Sequence, residues 1–168
     1  MIRLLLTYGV PAGLFIILSM ILGIELGHSQ EWLGYLIMFI VFSVIFVAVK
    51  RHRDVALGGV ISFGNAFLVG LGISAVAGVV YVAVWEYYSS LSGHAFIDNY
   101  TNYVIESIKA SDRTPEEMAV AIADAEKMAA NYRNPLFRLP MTFLEVFPPG
   151  VLVSLGSAIA LRNHKTAG

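Results

Sequence analysis

A carboxylate inside an otherwise apolar run is the first feature of this chain that bears on chemistry. Glu145 falls within Leu139–Leu161, and an ionisable group at membrane depth is costly enough to mark an ion path, a proton relay or a fixed ion pair. Glu25 closes the run Leu4–Ile24 and Glu86 follows Ala66–Trp85, so both fall near the same boundary as Glu145, with Arg138, His28 and His94 beside them. Together Glu145, Glu86, Glu25 and Arg138 form a candidate proton or cation site, because desolvated or clustered carboxylates keep their protons to higher pH. In the simpler arrangement Glu25 and Glu86 are solvated and Glu145 pairs with Arg138 or caps backbone groups of an interrupted helix. A metal site is not expected: the two histidines lie on different segments, neither H-x-x-x-H nor H-E-x-x-H occurs, and the chain has no cysteine. No nucleophile and base stand at a recognisable spacing. The residues therefore favour a non-enzymatic protein without a cofactor.

The elements that must position these groups are four apolar stretches, Leu4–Ile24, Leu33–Val49, Ala66–Trp85 and Leu139–Leu161. Each approaches the roughly 20 residues that a helix needs to cross a hydrocarbon core about 30 Å thick. Hydrophobic residues are 57% of the chain and charged residues 14%, with mean hydropathy +0.71, and 168 residues cannot wrap four such runs as a soluble core. The expected fold is an all-α, four-helix transmembrane bundle forming one domain, 1–168. The first run is read as a retained helix, since it outlasts a signal-peptide core and lacks an Ala-x-Ala-like site.

Charge sets the orientation. Arg3 precedes the first span, Lys50, Arg51 and Arg53 follow the second, and Arg162 and Lys165 follow the fourth, while the first loop carries Glu25 and Glu31 without a Lys or Arg. The positive-inside rule places both termini and the Lys50–Asp54 loop in the cytoplasm, where Lys50, Arg51 and Arg53 set topology and meet anionic headgroups. Asp54 is expected to tie that turn together.

Small residues mark the close helix contacts. Gly9 and Gly13 flank Pro11 in the first span, Gly70, Ser74 and Gly78 recur every fourth residue in the third, and Gly150, Ser154 and Ala158 do so in the fourth. Gly58-Gly59 permits a tight turn, with Ile61 and Phe63 dipping into the interface and Ser62 or Asn65 capping the third helix. That glycine pair carries no G-x-G-x-x-G or Walker pattern, so neither nucleotide nor nucleic acid is expected as a partner. Tyr81, Trp85, Tyr87 and Tyr88 have the composition of an interfacial anchor. In the fourth span Pro148-Pro149 removes two backbone donors, which predicts a helix break.

Between the third and fourth spans, about 89–135, the chain is read as an extracytoplasmic pair of amphipathic helices. Ile97, Tyr100, Val104 and Ile108 mark one apolar face; Met118, Ile122, Ala125, Ala129 and Tyr132 mark the other. Thr114-Pro115-Glu116-Glu117 is a capping box with proline at the first helical position. The two faces must meet each other, the bilayer or a partner.

Tyr8-Gly9, the Lys50-Arg51-His52-Arg53-Asp54 loop, Gly58 to Gly64, Gly70 to Gly78, and Asn134-Pro135-Leu136-Phe137-Arg138 leading to Phe147-Pro148-Pro149-Gly150 together resemble the bacterial domain-of-unknown-function family 4199. The resemblance covers nearly the whole chain and implies a small four-span protein of the bacterial inner membrane. It brings no activity or site residue with it. The ridges and the amphipathic hairpin point to a component that assembles with itself or with a membrane-protein partner. The alternative is a proton- or cation-coupled transport subunit using Glu145 beside a broken fourth helix.

Overall fold

The computed structural model describes residues 1–26, 31–91, 93 and 95–163, without the side chain of Glu31. His28, His94 and Lys165 lie outside the described residues. Among the described residues seven α-helices occur in order: α1 (Ile2–Glu25), α2 (Glu31–Phe42), α3 (Val44–Arg51), α4 (Phe63–Leu91), α5 (Ala95–Lys109), α6 (Pro115–Arg133) and α7 (Pro135–Leu161). Four stretches of the described residues are long and apolar enough to cross a membrane: Ile2–Glu25, Trp32–Ala56, Phe63–Leu91 and Pro135–Leu161. The protein is an all-helical, multi-pass integral membrane protein. Its residues group into two compact units, Met1–Val84 with Phe143–Gly168, and Trp85–Thr142.

The first unit, the four-helix body, is held by close backbone approaches. A Cβ on Gly13 would lie 2.5 Å from the Ala77 carbonyl oxygen, and one on Gly9 would lie 2.7 Å from Val76 Cβ, so α1 rests directly on α4. α4 and α7 meet through a reciprocal motif in which Gly70 faces Ser154 and Gly150 faces Ser74. Each serine returns its own proton to its helix: Ser74 Oγ donates to Gly70 O at 2.9 Å and Ser154 Oγ to Gly150 O at 2.6 Å. The hydroxyls need no water, and both serines are fully buried. Gly78 completes the seam against the Phe143 ring. Lipid tails are as apolar as leucine, so such van der Waals contact does the work that water exclusion does in soluble cores.

Two features of the body stand out. The second span is not one regular helix: it jogs at Ser43, whose Oγ donates to Ile40 O at 2.6 Å, and then runs past Val49 through a π-helical turn, His52–Ala56. A serine that bonds back to the preceding turn bends a helix. Nor is α7 broken at Pro148-Pro149, because one helix runs from Pro135 to Leu161 through Pro140, Pro148 and Pro149. The two prolines leave the Leu144 and Glu145 carbonyls without their usual donors. Unwinding would expose further backbone groups where water is absent, and the adjoining Pro149 and Gly150 are buried where Gly150 lies against Ser74.

The turn into α4 is built as its glycines require. Gly58 and Gly59 have φ of 65° and 89°, conformations open to glycine, and the Gly59 N–H donates to Arg53 O at 2.9 Å. Ser62 is the cap of α4, accepting from the Asn65 N–H at 3.3 Å. Ile61 does not dip into the interface; it is 1% exposed.

The second unit contains a helical hairpin. Helices α5 and α6 pack on one another, and Met118, Ile122, Ala125, Ala129 and Tyr132 are all half-buried along α6. On α5 the buried residues are Ile97 and Ile108, whereas Tyr100 is outside that face, 54% exposed and stacked on Phe96. The capping box forms as read: the Glu117 N–H donates to Thr114 Oγ1 at 3.3 Å and the Thr114 N–H donates to Glu117 Oε2 at 2.9 Å.

Candidate functional site

Arg138 is the most heavily engaged of the candidate residues. It is 3% exposed, and its Nε and Nη2 donate to the two carboxylate oxygens of Glu86 at 2.6 Å each. Its remaining Nη1 donates to the carbonyls of Tyr132 and Arg133 at 3.1 and 3.2 Å. Those are final carbonyls of α6, which have no partner within their own helix. Asn134 terminates α6 in an extended conformation, as a residue before proline prefers, and its Oδ1 then accepts from the Leu136 N–H at 3.0 Å to start α7. Nearby, the Tyr132 hydroxyl meets Thr142 Oγ1 at 3.0 Å and Arg133 pairs with Asp98. One arginine therefore caps α6 and neutralises Glu86 at once. A bidentate pair of this kind is rigid and charge-balanced, so the partner expected for Arg138 in Glu145 is in fact Glu86.

The aromatic group of α4 also divides. Tyr81 and Trp85 are 1% and 2% exposed, with Trp85 edge-on to Phe96 at 4.9 Å. Tyr81 donates to the Met20 sulfur within the body. Of the four rings expected as interfacial anchors, Tyr87 is the one that stands out, at 69% exposed.

Glu145 belongs to the four-helix body and is exposed. It shares an outward stripe of α7 with Met141, Leu144, Pro148, Leu152 and Ile159, all exposed and spaced for one helix face. Within the body, the side chains that α7 buries include Val146, Ser154, Ser157, Ala158 and Leu161. Glu25, also exposed, ends α1. Among the candidates, then, Glu86 pairs with Arg138, and Glu145 and Glu25 are exposed on separate helices.

At the opposite end of the body the basic residues gather. Arg51 Nη1 donates to the Tyr8 hydroxyl at 3.5 Å, joining the end of α3 to the start of α1. Arg53, whose side chain is 19% exposed, pairs with Asp54 at 2.7 Å and donates to Leu161 O at 3.3 Å, capping α7. Of the three residues expected at headgroups, Lys50 and Arg51 are exposed while Arg53 is occupied in the fold. Asp54 does tie the turn.

Asn163 is a residue that sequence reasoning missed. Its Oδ1 accepts from the Ile61 N–H at 2.9 Å, its Nδ2 donates to Gly59 O at 2.7 Å, and its own N–H donates to Ile61 O at 3.1 Å. The amide reads the backbone of the Gly58-Gly59 turn as a strand partner would and fastens it to the end of α7. Its signal was slight: an asparagine two residues beyond a span that ends in Leu161-Arg162.

Over residues 7–163 the sequence matches the family model described as protein of unknown function, DUF4199. The chain belongs to the DUF4199 family. No curated protein and no solved structure matches it. In this DUF4199 member the matched segment takes in every contact described above.

Proposed function

We propose that this protein is a non-enzymatic membrane subunit that assembles with a second copy or a membrane-protein partner through the outward face of α7. The supporting observation is Glu145, a single carboxylate on an otherwise apolar, exposed stripe. Facing lipid, that group is costly; facing a helix that offers a donor or a cation, it is a recognition element of the kind that holds spans together. The orientation that fits has both termini and the Arg3, Lys50, Arg51, Arg53 and Arg162 end in the cytoplasm, and the α5–α6 hairpin outside a bacterial inner membrane.

The absence of native cysteine gives a clean test. Leu152→Cys on the α7 stripe and Leu18→Cys on α1, both at exposed leucines, are compared in native membranes with a membrane-permeant cross-linker. The reading expects a discrete cross-linked product from Leu152→Cys that disappears when Glu145→Leu is added, and none from Leu18→Cys. Equal products from both positions, or none from either, would count against it.

A proton- or cation-coupled carrier draws on the same Glu145. Its supporting geometry was an interrupted fourth helix and a free carboxylate cluster; α7 is continuous and Glu86 is paired. Loss of a pH-dependent flux in Glu145→Gln vesicles would move the weight to that reading.

A further inference from the structure

An open groove of about 250 Å³ runs between α1 and the second span, lined by Thr7, Tyr8, Pro11, Phe15, Val41 and Val44. Its α1 wall extends from Thr7 to Phe15, about 12 Å of helix. The walls are apolar except at one end, where the Tyr8 hydroxyl accepts from Arg51. Arg51 and Lys50 are exposed at that end, and Arg3, also exposed, stands one turn before Thr7 on the same face of α1. The nearest acid in sequence, Asp54, is held by Arg53 at 2.7 Å. The open groove thus ends beside the exposed guanidinium groups of Arg51 and Arg3.

We infer that this groove holds an acyl chain of an anionic phospholipid, with the lipid phosphate bound by Arg51 and Arg3. The chain lies against Pro11, Phe15, Val41 and Val44, and the phosphate meets two guanidinium groups whose planar donors suit its oxygens. The Tyr8 hydroxyl orients Arg51 toward the mouth of the groove. A zwitterionic lipid would fill the same slot but would bring its own cation to the arginines. Selectivity therefore resides in the charged end and retention in the apolar walls.

The test is native mass spectrometry of the intact protein released from nanodiscs of equal phosphatidylglycerol and phosphatidylcholine. The wild type should retain phosphatidylglycerol in preference to phosphatidylcholine by about thirtyfold, the scale set by two basic contacts to an anionic headgroup. The double variant Arg3→Gln, Arg51→Gln should bind both lipids equally, while Arg51→Lys keeps a preference and shows that the fold survives at this position. Thr7→Phe, which fills the groove, should lower retention of both lipids, and Arg113→Gln, in the loop before α6, should change nothing. Equal retention by the wild type, a preference that survives loss of both arginines, or full retention in Thr7→Phe would each overturn the assignment.

Discussion

The four-helix body and the Trp85–Thr142 unit solve the same problem with opposite chemistry. In the body, glycines and serines let α1, α4 and α7 touch backbone to backbone, and its fully buried polar side chains, Ser74 and Ser154, satisfy themselves on their own helices. In the other unit the fixed points are polar: a bidentate Arg138–Glu86 pair, an Asp98–Arg133 pair and a capping box. With the hairpin outside the membrane, as proposed above, the difference follows from solvent. Where there is no water to expel, shape is the main source of specificity; where there is a polar surface, directed hydrogen bonds fix helix ends.

That contrast is most easily broken at Arg138. Replacing it with Leu removes both guanidinium bonds to the Glu86 carboxylate and the donor to two α6 carbonyls, at a cost of about 3 to 5 kcal/mol. The double change Arg138→Leu, Glu86→Leu should recover much of this loss in thermal unfolding in detergent, because the stranded charge is then gone. Next comes the body: Gly13→Ala drives a methyl to 2.5 Å from a backbone oxygen and should cost about 1 to 3 kcal/mol as overpacking. Gly34→Ala, with open space around it, should be neutral or better in the same assay. Equal effects at the two glycines would dissolve the claim that shape holds the body.

The capping box gives smaller effects. Thr114→Ala should lower the stability of the hairpin by about 1 kcal/mol. Glu117 is held below the ordinary carboxylate range, first by the Thr114 backbone N–H and then by its hydroxyl. A depressed carboxylate stabilises fully above its unfolded value, about 4.3, and loses that contribution as pH falls through its folded value. Acidification from about pH 6 to pH 3 should therefore loosen the start of α6, and Glu117→Gln should flatten the dependence seen by amide NMR shifts in that turn.

Much of the fold was legible because it rests on local rules. Span length, the Thr114-Pro115-Glu116-Glu117 box and the α6 face follow from spacing alone. Harder to read was what each surface touches. The small-residue ridges were visible, but spacing does not say whether a ridge meets its own chain, and Gly70, Ser74, Gly78, Gly150 and Ser154 meet each other or Phe143. A Gly78→Leu variant therefore perturbs folding before it tests assembly. Pairing across long separations was equally hidden: Arg138 lies 52 residues from Glu86 and 7 from Glu145, and the distant partner holds it. The prolines of α7 misled because the rule against them weighs a lost hydrogen bond locally, while in a membrane the alternative is a longer stretch of unpaired backbone.

The central claim is that the carboxylate turned outward on α7 is met by another protein. The direct measurement is the mass of the complex recovered from native membranes in nanodiscs without detergent exchange, for wild type, Glu145→Leu and the lipid-facing control Leu14→Ala. The account predicts a defined complex larger than the 18.3 kDa chain in wild type and control, falling to the single chain in Glu145→Leu. A single chain throughout, or a complex that survives loss of the carboxylate, would contradict it.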